Sequence, residues 1–149
     1  MTAYTLVLVT HVLVAILGVG SIASIAFVTT TARRSGREPS DLSTWLSPLF
    51  RISAFSLLIM LITGATLDYL VGGAFHHMWW FRVSFLLLLV TGALHGGTRR
   101  TVRTGLAAQP ASGSGSASAA ASLRRVERLA YAMCFLIAAI TALMEAKPF

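Results

Sequence analysis

Four stretches of this chain stay apolar for the length of a membrane crossing. They run over about residues 5–30, 47–71, 78–97 and 126–146, and each reaches or exceeds the roughly 20 residues that a spanning helix needs. Between them lie a polar connection, Ser35 to Ser43, containing Pro39; a tight glycine-containing turn, Val71 to Ala74; and an Ala/Ser/Gly segment, residues 105–122, with one Pro110. The last has no core-forming pattern and reads as a flexible cytoplasmic linker. The pattern predicts an all-α integral membrane four-helix bundle occupying residues 1–149 as a single transmembrane domain. The turn glycines and Pro48, placed to open the second helix, fit that division.

Composition agrees with the pattern. Apolar residues make up 56% of 149 and charged residues 11%, and so apolar a chain belongs in lipid, not in water. The net charge of +7 brings nucleic acid to mind, but its distribution has a simpler cause. Arg33, Arg34, Arg37 and Arg51 flank the first connection, and Arg99, Arg100, Arg103, Arg124, Arg125 and Arg128 flank the third. The positive-inside rule places both connections in the cytoplasm, giving an N-out/C-out multi-pass protein of the cytoplasmic (inner) membrane with no nucleic-acid partner. No basic segment precedes the first apolar run, so that run reads as an anchor and not a cleavable signal. The lone Cys134 excludes an intrachain disulfide.

The candidate chemistry lies in the histidines. No paired intramembrane carboxylates, Ser/His/Asp set, phosphate-binding glycine loop or Cys pair is present, which leaves hydrolysis and structural zinc without support. His11 stands inside an apolar run, where an imidazole is costly unless something binds it. Ala15, Gly18 and Ser21 follow it on one helix face; they either leave a groove for a flat macrocycle or let two helices approach closely. His76, His77, Trp79, Trp80 and Arg82 cluster at the start of the third helix. One of these histidines, His77 first, is a candidate second axial ligand opposite His11, with Trp80 at a macrocycle edge and Arg82 on a propionate; Met144, Met60 or a ligand from another protomer would match the depth of His11 better, and a five-coordinate iron would need none. The same residues also serve as ordinary interface anchors. His95 differs from His11 in depth by roughly 15 to 20 Å at 1.5 Å per helical residue, so one small cofactor does not bridge them. Its place before Gly96, Gly97, Arg99 and Arg100 suits a basic group at a helix C-terminus.

Phe50-Arg51-Ile52-Ser53 with Thr63-Gly64-Ala65 is echoed by Phe81-Arg82-Val83-Ser84 with Thr91-Gly92-Ala93. Because the two helices run in opposite directions, a true duplication would be an inverted repeat.

The early histidine with its small residues, the Arg-Ile-Ser opening and Thr-Gly of the second helix, and the basic end of the third resemble the DUF2269 and copper-resistance-D-like membrane families. More distantly, they resemble the HemJ-type protoporphyrinogen oxidases. The resemblance spans about residues 8–103. It implies a small membrane bundle with His11 as its functional residue, associated with haem in the HemJ type. Leu17-Gly18 stands where such families often carry tryptophan, and Arg82 where copper-resistance-D-like proteins tend to carry lysine.

Three functions follow. The first is a b-type haem protein for electron transfer, redox sensing or haem handling near the outer leaflet, with His11 ligating iron. It would work as a homodimer, with a quinone or redox partner, and membrane oxidoreductase activity is left open. The second is a copper transport or accessory protein using His11, His76, His77 and Met78 or Met144. The third is a structural membrane subunit without a cofactor.

Overall fold

The computed structural model describes residues 2–35, 39–106 and 116–146. They form α1 (Ala3–Ser35), α2 (Pro39–Leu70), α3 (Trp79–Thr101) with a π-helical turn at Val102–Leu106, and α4 (Ser116–Ala146). All four helices carry a span long and apolar enough to cross a membrane. Each runs past the hydrophobic stretch that announces it. At 1.5 Å per residue, the 33 residues of α1 extend about 50 Å, well beyond a hydrocarbon core of roughly 30 Å.

Three sequence-based boundaries move for this reason. Proline at the first helical position costs no hydrogen bond, and Pro39, not Pro48, holds that place; Pro48 lies inside α2. The linker expected over 105–122 is helical at both described ends, through Leu106 and from Ser116, while residues 107–115 lie outside the described residues. His95 is not at a helix end. Polyglycine weakens a helix by only about 1 kcal/mol per residue, and α3 continues through Gly96 and Gly97 to Thr101.

Around the bundle, α1 packs most extensively on α2 and also along α4; α4 in turn packs on α3, and α2 meets α3 only sparsely. The apolar core is concentrated toward the end that carries the arginine-rich connections. Ile22 and Ile25 of α1, Leu46 and Phe50 of α2, and Val126, Ala130 and Met133 of α4 close together there. On the outside, Leu13, Ile16, Phe27, Phe55, Leu86 and Phe135 are exposed. That exposure suits lipid tails, which are as apolar as any core.

Because lipid removes the hydrophobic drive between helices, close approach and hydrogen bonds hold them together. Gly18 supplies the approach: a Cβ there would lie 3.0 Å from Cβ of Ser56. Glu127 supplies the bonds between α4 and α1. It accepts from Nε of Arg33 at 2.7 Å, from Nη2 at 3.3 Å, and from the Thr30 hydroxyl at 2.9 Å. Nothing lies within 4 Å of a Cβ at Gly20, which makes it the control for Gly18. In detergent, Gly18→Val is expected to lower the thermal midpoint by the equivalent of about 1–3 kcal/mol of overpacking, and Gly20→Val to leave it nearly unchanged; equal shifts would contradict the close-contact role.

Candidate functional site

In the half of the bundle that carries the chain termini, each helix contributes to one enclosed space. His11 comes from α1; Met60, Leu61 and Gly64 from α2; Ser84, Phe81, Phe85 and Leu88 from α3; Ile140 and Met144 from α4. The cavity measures about 30 Å³. That is room for an ion or a water molecule or two, against the roughly 300–1,000 Å³ of pockets that enclose small-molecule cofactors. A porphyrin therefore does not fit inside this site. Larger grooves lie on the outside of the bundle, one of about 810 Å³ between α1 and α2 and one of about 520 Å³ between α1 and α4. None of the four histidines lines either of them.

A hydrogen bond across two helices holds the His11 ring. Nδ1 of His11 is 2.7 Å from Oγ1 of Thr63. A threonine hydroxyl has one proton, and that of Thr63 goes to the Ile59 carbonyl of its own helix at 2.7 Å. With the hydroxyl proton on that carbonyl, the imidazole donates from Nδ1 and Nε2 carries the lone pair. A hydrogen bond on one ring nitrogen that presents the other as a ligand is the usual arrangement of metal-binding histidines.

The cavity holds one further polar group. Oγ of Ser84 is the only buried side-chain oxygen or nitrogen without a hydrogen-bond partner among the described residues. Its neighbours along α3 behave differently, since Thr91 and Thr98 return their protons to the carbonyls of Leu87 and Leu94. An orphan hydroxyl in an apolar setting costs about 1–3 kcal/mol. Among the described residues there is no group of three or more His, Cys, Asp or Glu able to hold a metal, so the donors of this cavity are one imidazole, two thioethers and one hydroxyl.

His95 forms a second level. It is buried, with Nε2 2.7 Å from Oγ of Ser53, and its ring stands edge-on to Phe50 with centroids 5.3 Å apart. Ser53 also donates to the Leu49 carbonyl. The partners Thr63 and Ser53 are ten residues apart on α2, about 15 Å of rise, in agreement with the depth separation expected from sequence. The repeated serines also differ. Ser53 is bound to a histidine, while its counterpart Ser84 lies unpaired in the cavity of His11.

The other sequence-predicted site residues go elsewhere. Gly18 sits at the α1–α2 contact, and Ala15 does not line the cavity. His76 and His77 belong to the α2–α3 turn, before α3 begins at Trp79. Both are exposed, and their rings lie 3.9 Å apart between centroids. Asp68 organises this turn: its carboxylate accepts from the backbone N–H of Phe75 at 2.8 Å and of His76 at 3.1 Å, and pairs with Nδ1 of His76 at 3.2 Å. Arg82 donates from Nε to the His76 carbonyl at 2.7 Å, and Trp80 packs against Phe75 and Phe81. Gly72 and Gly73 carry φ of 71° and 78°, a backbone region open to glycine. His77 does not line His11's cavity, and Arg82 is engaged in the turn. Met60 and Met144, which share the depth of His11, line the cavity with it; Ser84, which completes it, is not marked by any spacing within its helix.

A bundle of four membrane-length helices with a small imidazole–thioether cavity defines a multi-pass integral membrane protein. The chain belongs to the DUF2269 family of predicted integral membrane proteins, whose profile matches residues 5–148. No curated protein and no solved structure matches it.

Asp68→Ala is expected to free the Phe75 and His76 amides and to open the turn, so that limited proteolysis between residues 71 and 78 becomes much faster than in the unmodified protein. Unaltered cleavage would show that the glycines alone hold the turn.

Proposed function

We propose that this protein handles copper in the membrane, binding one Cu(I) ion inside the bundle through Nε2 of His11 and the thioethers of Met60 and Met144. The observation that carries the proposal is the convergence of these three side chains on a cavity sized for an ion, with the Ser84 hydroxyl as a fourth polar contact. Thioether sulfur is a soft donor that selects Cu(I) over the harder divalent ions, and imidazole suits copper equally well. Thr63 would act through His11, holding the ring so that Nε2 meets the ion. With the arginine-rich connections on the cytoplasmic side, as the positive-inside rule expects, the ion would sit in the outer half of the bilayer.

The cavity volume favours copper over haem, and one experiment separates them. Protein purified in detergent is expected to show no Soret band, before or after haem supplementation. It is expected to take up one equivalent of Cu(I) in anaerobic competition with a chromogenic chelator. His11→Ala, and Met60→Leu with Met144→Leu, should abolish that uptake, while His76→Ala with His77→Ala should leave it intact. A Soret band lost in His11→Ala would replace copper by haem; binding of neither would make the protein a structural subunit.

Thr63→Val tests the positioning role. Loss of an outer partner to a ligating histidine typically weakens a metal about 10–100-fold. The variant should weaken Cu(I) by that amount, and Thr63→Ser should restore it.

A further inference from the structure

At the opposite end of the bundle, a second cavity of about 390 Å³ opens where α2, α3 and the π-helical turn meet. Arg51 and Ser47 of α2, Arg99 of α3 and Arg103 of the turn line it, with Phe50 and Val102 as its apolar floor. Three guanidinium groups from three elements therefore converge on one space. Among the described residues, the ion pairs are Arg33–Glu127 and His76–Asp68, so none of the three has a carboxylate partner. Arg99 and Arg103 are also four residues apart along the chain, a spacing at which like charges repel on a helix. All three arginines are exposed, and an anion shared among them would lower their mutual repulsion.

The local backbone points the same way. Val102–Leu106 is the one segment among the described residues whose helix widens to a π turn, a feature that is rare and frequently sits at functional sites. It brings Val102 and Arg103 to the cavity. Guanidinium forks match phosphate oxygens in planar, paired hydrogen bonds, and basic pockets between transmembrane helices at the cytoplasmic side take anionic lipid headgroups. We infer that Arg51, Arg99 and Arg103 form a binding pocket for a phosphate group, with the Ser47 hydroxyl on its wall and Phe50 and Val102 beneath. The pocket shares no residue with the His11 cavity. It is joined to His95 through Phe50, whose ring contacts both.

The test compares three probes on the full chain in neutral detergent at fixed salt: phosphatidylglycerol, phosphatidylcholine and inorganic phosphate. Binding is read by native mass spectrometry and by the thermal midpoint. Phosphatidylglycerol is expected to bind and raise the midpoint, and phosphatidylcholine to do neither. The R51Q/R99Q/R103Q variant should bind phosphatidylglycerol on the order of a hundredfold more weakly, because three charge-assisted contacts are lost. R124Q/R125Q/R128Q removes the same charge from the exposed face of α4 and should weaken binding less than about threefold, since solution salt screens distant charges. The single variants R51Q and R103Q, each expected to cost roughly tenfold, keep the test decisive should the triple variant fail to fold. Stabilisation by phosphatidylglycerol alone identifies a lipid headgroup as the ligand; stabilisation by inorganic phosphate as well identifies a pocket open to free phosphate. Equal losses in the two triple variants, equal response to phosphatidylcholine, or no response to any probe would overturn the inference.

Discussion

The single proton of the Thr63 hydroxyl governs the chemistry of the cavity. Within a membrane, a backbone or side-chain donor must find its acceptor inside the protein, and Thr63 gives its proton to the carbonyl one turn back on its own helix. The hydroxyl also meets Nδ1 of His11 on α1, which holds the ring beside the cavity that His11 lines. Without that bond the imidazole would be an isolated polar group in an apolar helix. With it, the ring is both satisfied and available.

The same economy recurs at the other histidine, with a different result. Ser53 also donates to its own helix and meets His95, but there the ring is packed against Phe50 inside the dense core near the arginine-rich end. Packing density thus separates two chemically similar pairs. Where Ile22, Ile25, Leu46 and Met133 close the bundle, the His–Ser pair acts as a strut between α2 and α3, which otherwise touch little. Toward the termini, methionine and serine replace branched aliphatics on the facing helices and a small space remains.

Charge is distributed with comparable selectivity. Glu127 neutralises Arg33 and joins α1 to α4, and Asp68 is spent on closing the outer turn with His76. These two carboxylates act as fasteners, and among the described residues Arg51, Arg99 and Arg103 have no carboxylate partner. A surplus of that kind sets the orientation of a membrane protein, and where Arg51, Arg99 and Arg103 converge on one cavity it also selects for an anionic ligand.

The architecture was legible in the chain because a bilayer admits few solutions. Any run of about 20 apolar residues must satisfy its backbone internally, and a helix is the way a single segment does so. His11 was legible for the related reason that a histidine is conspicuous in such a run, and its separation in depth from His95 follows from helical rise alone. Other features depended on how the helices rotate and meet. Lipid and core are equally apolar, so no amphipathic stripe in α1 tells which face turns inward, whereas α3 buries the face that carries Ser84, Thr91, His95 and Thr98. Gly18 went to the helix contact, His76, Trp80 and Arg82 to the turn, and His95 to the interior of the bundle. Depth along the helices made Met60 and Met144 candidates opposite His11, but only the tertiary structure brings them and Ser84 to one space beside it. The sequence by itself determined four crossings and one conspicuous imidazole; only helix packing decided which side chains that imidazole faces.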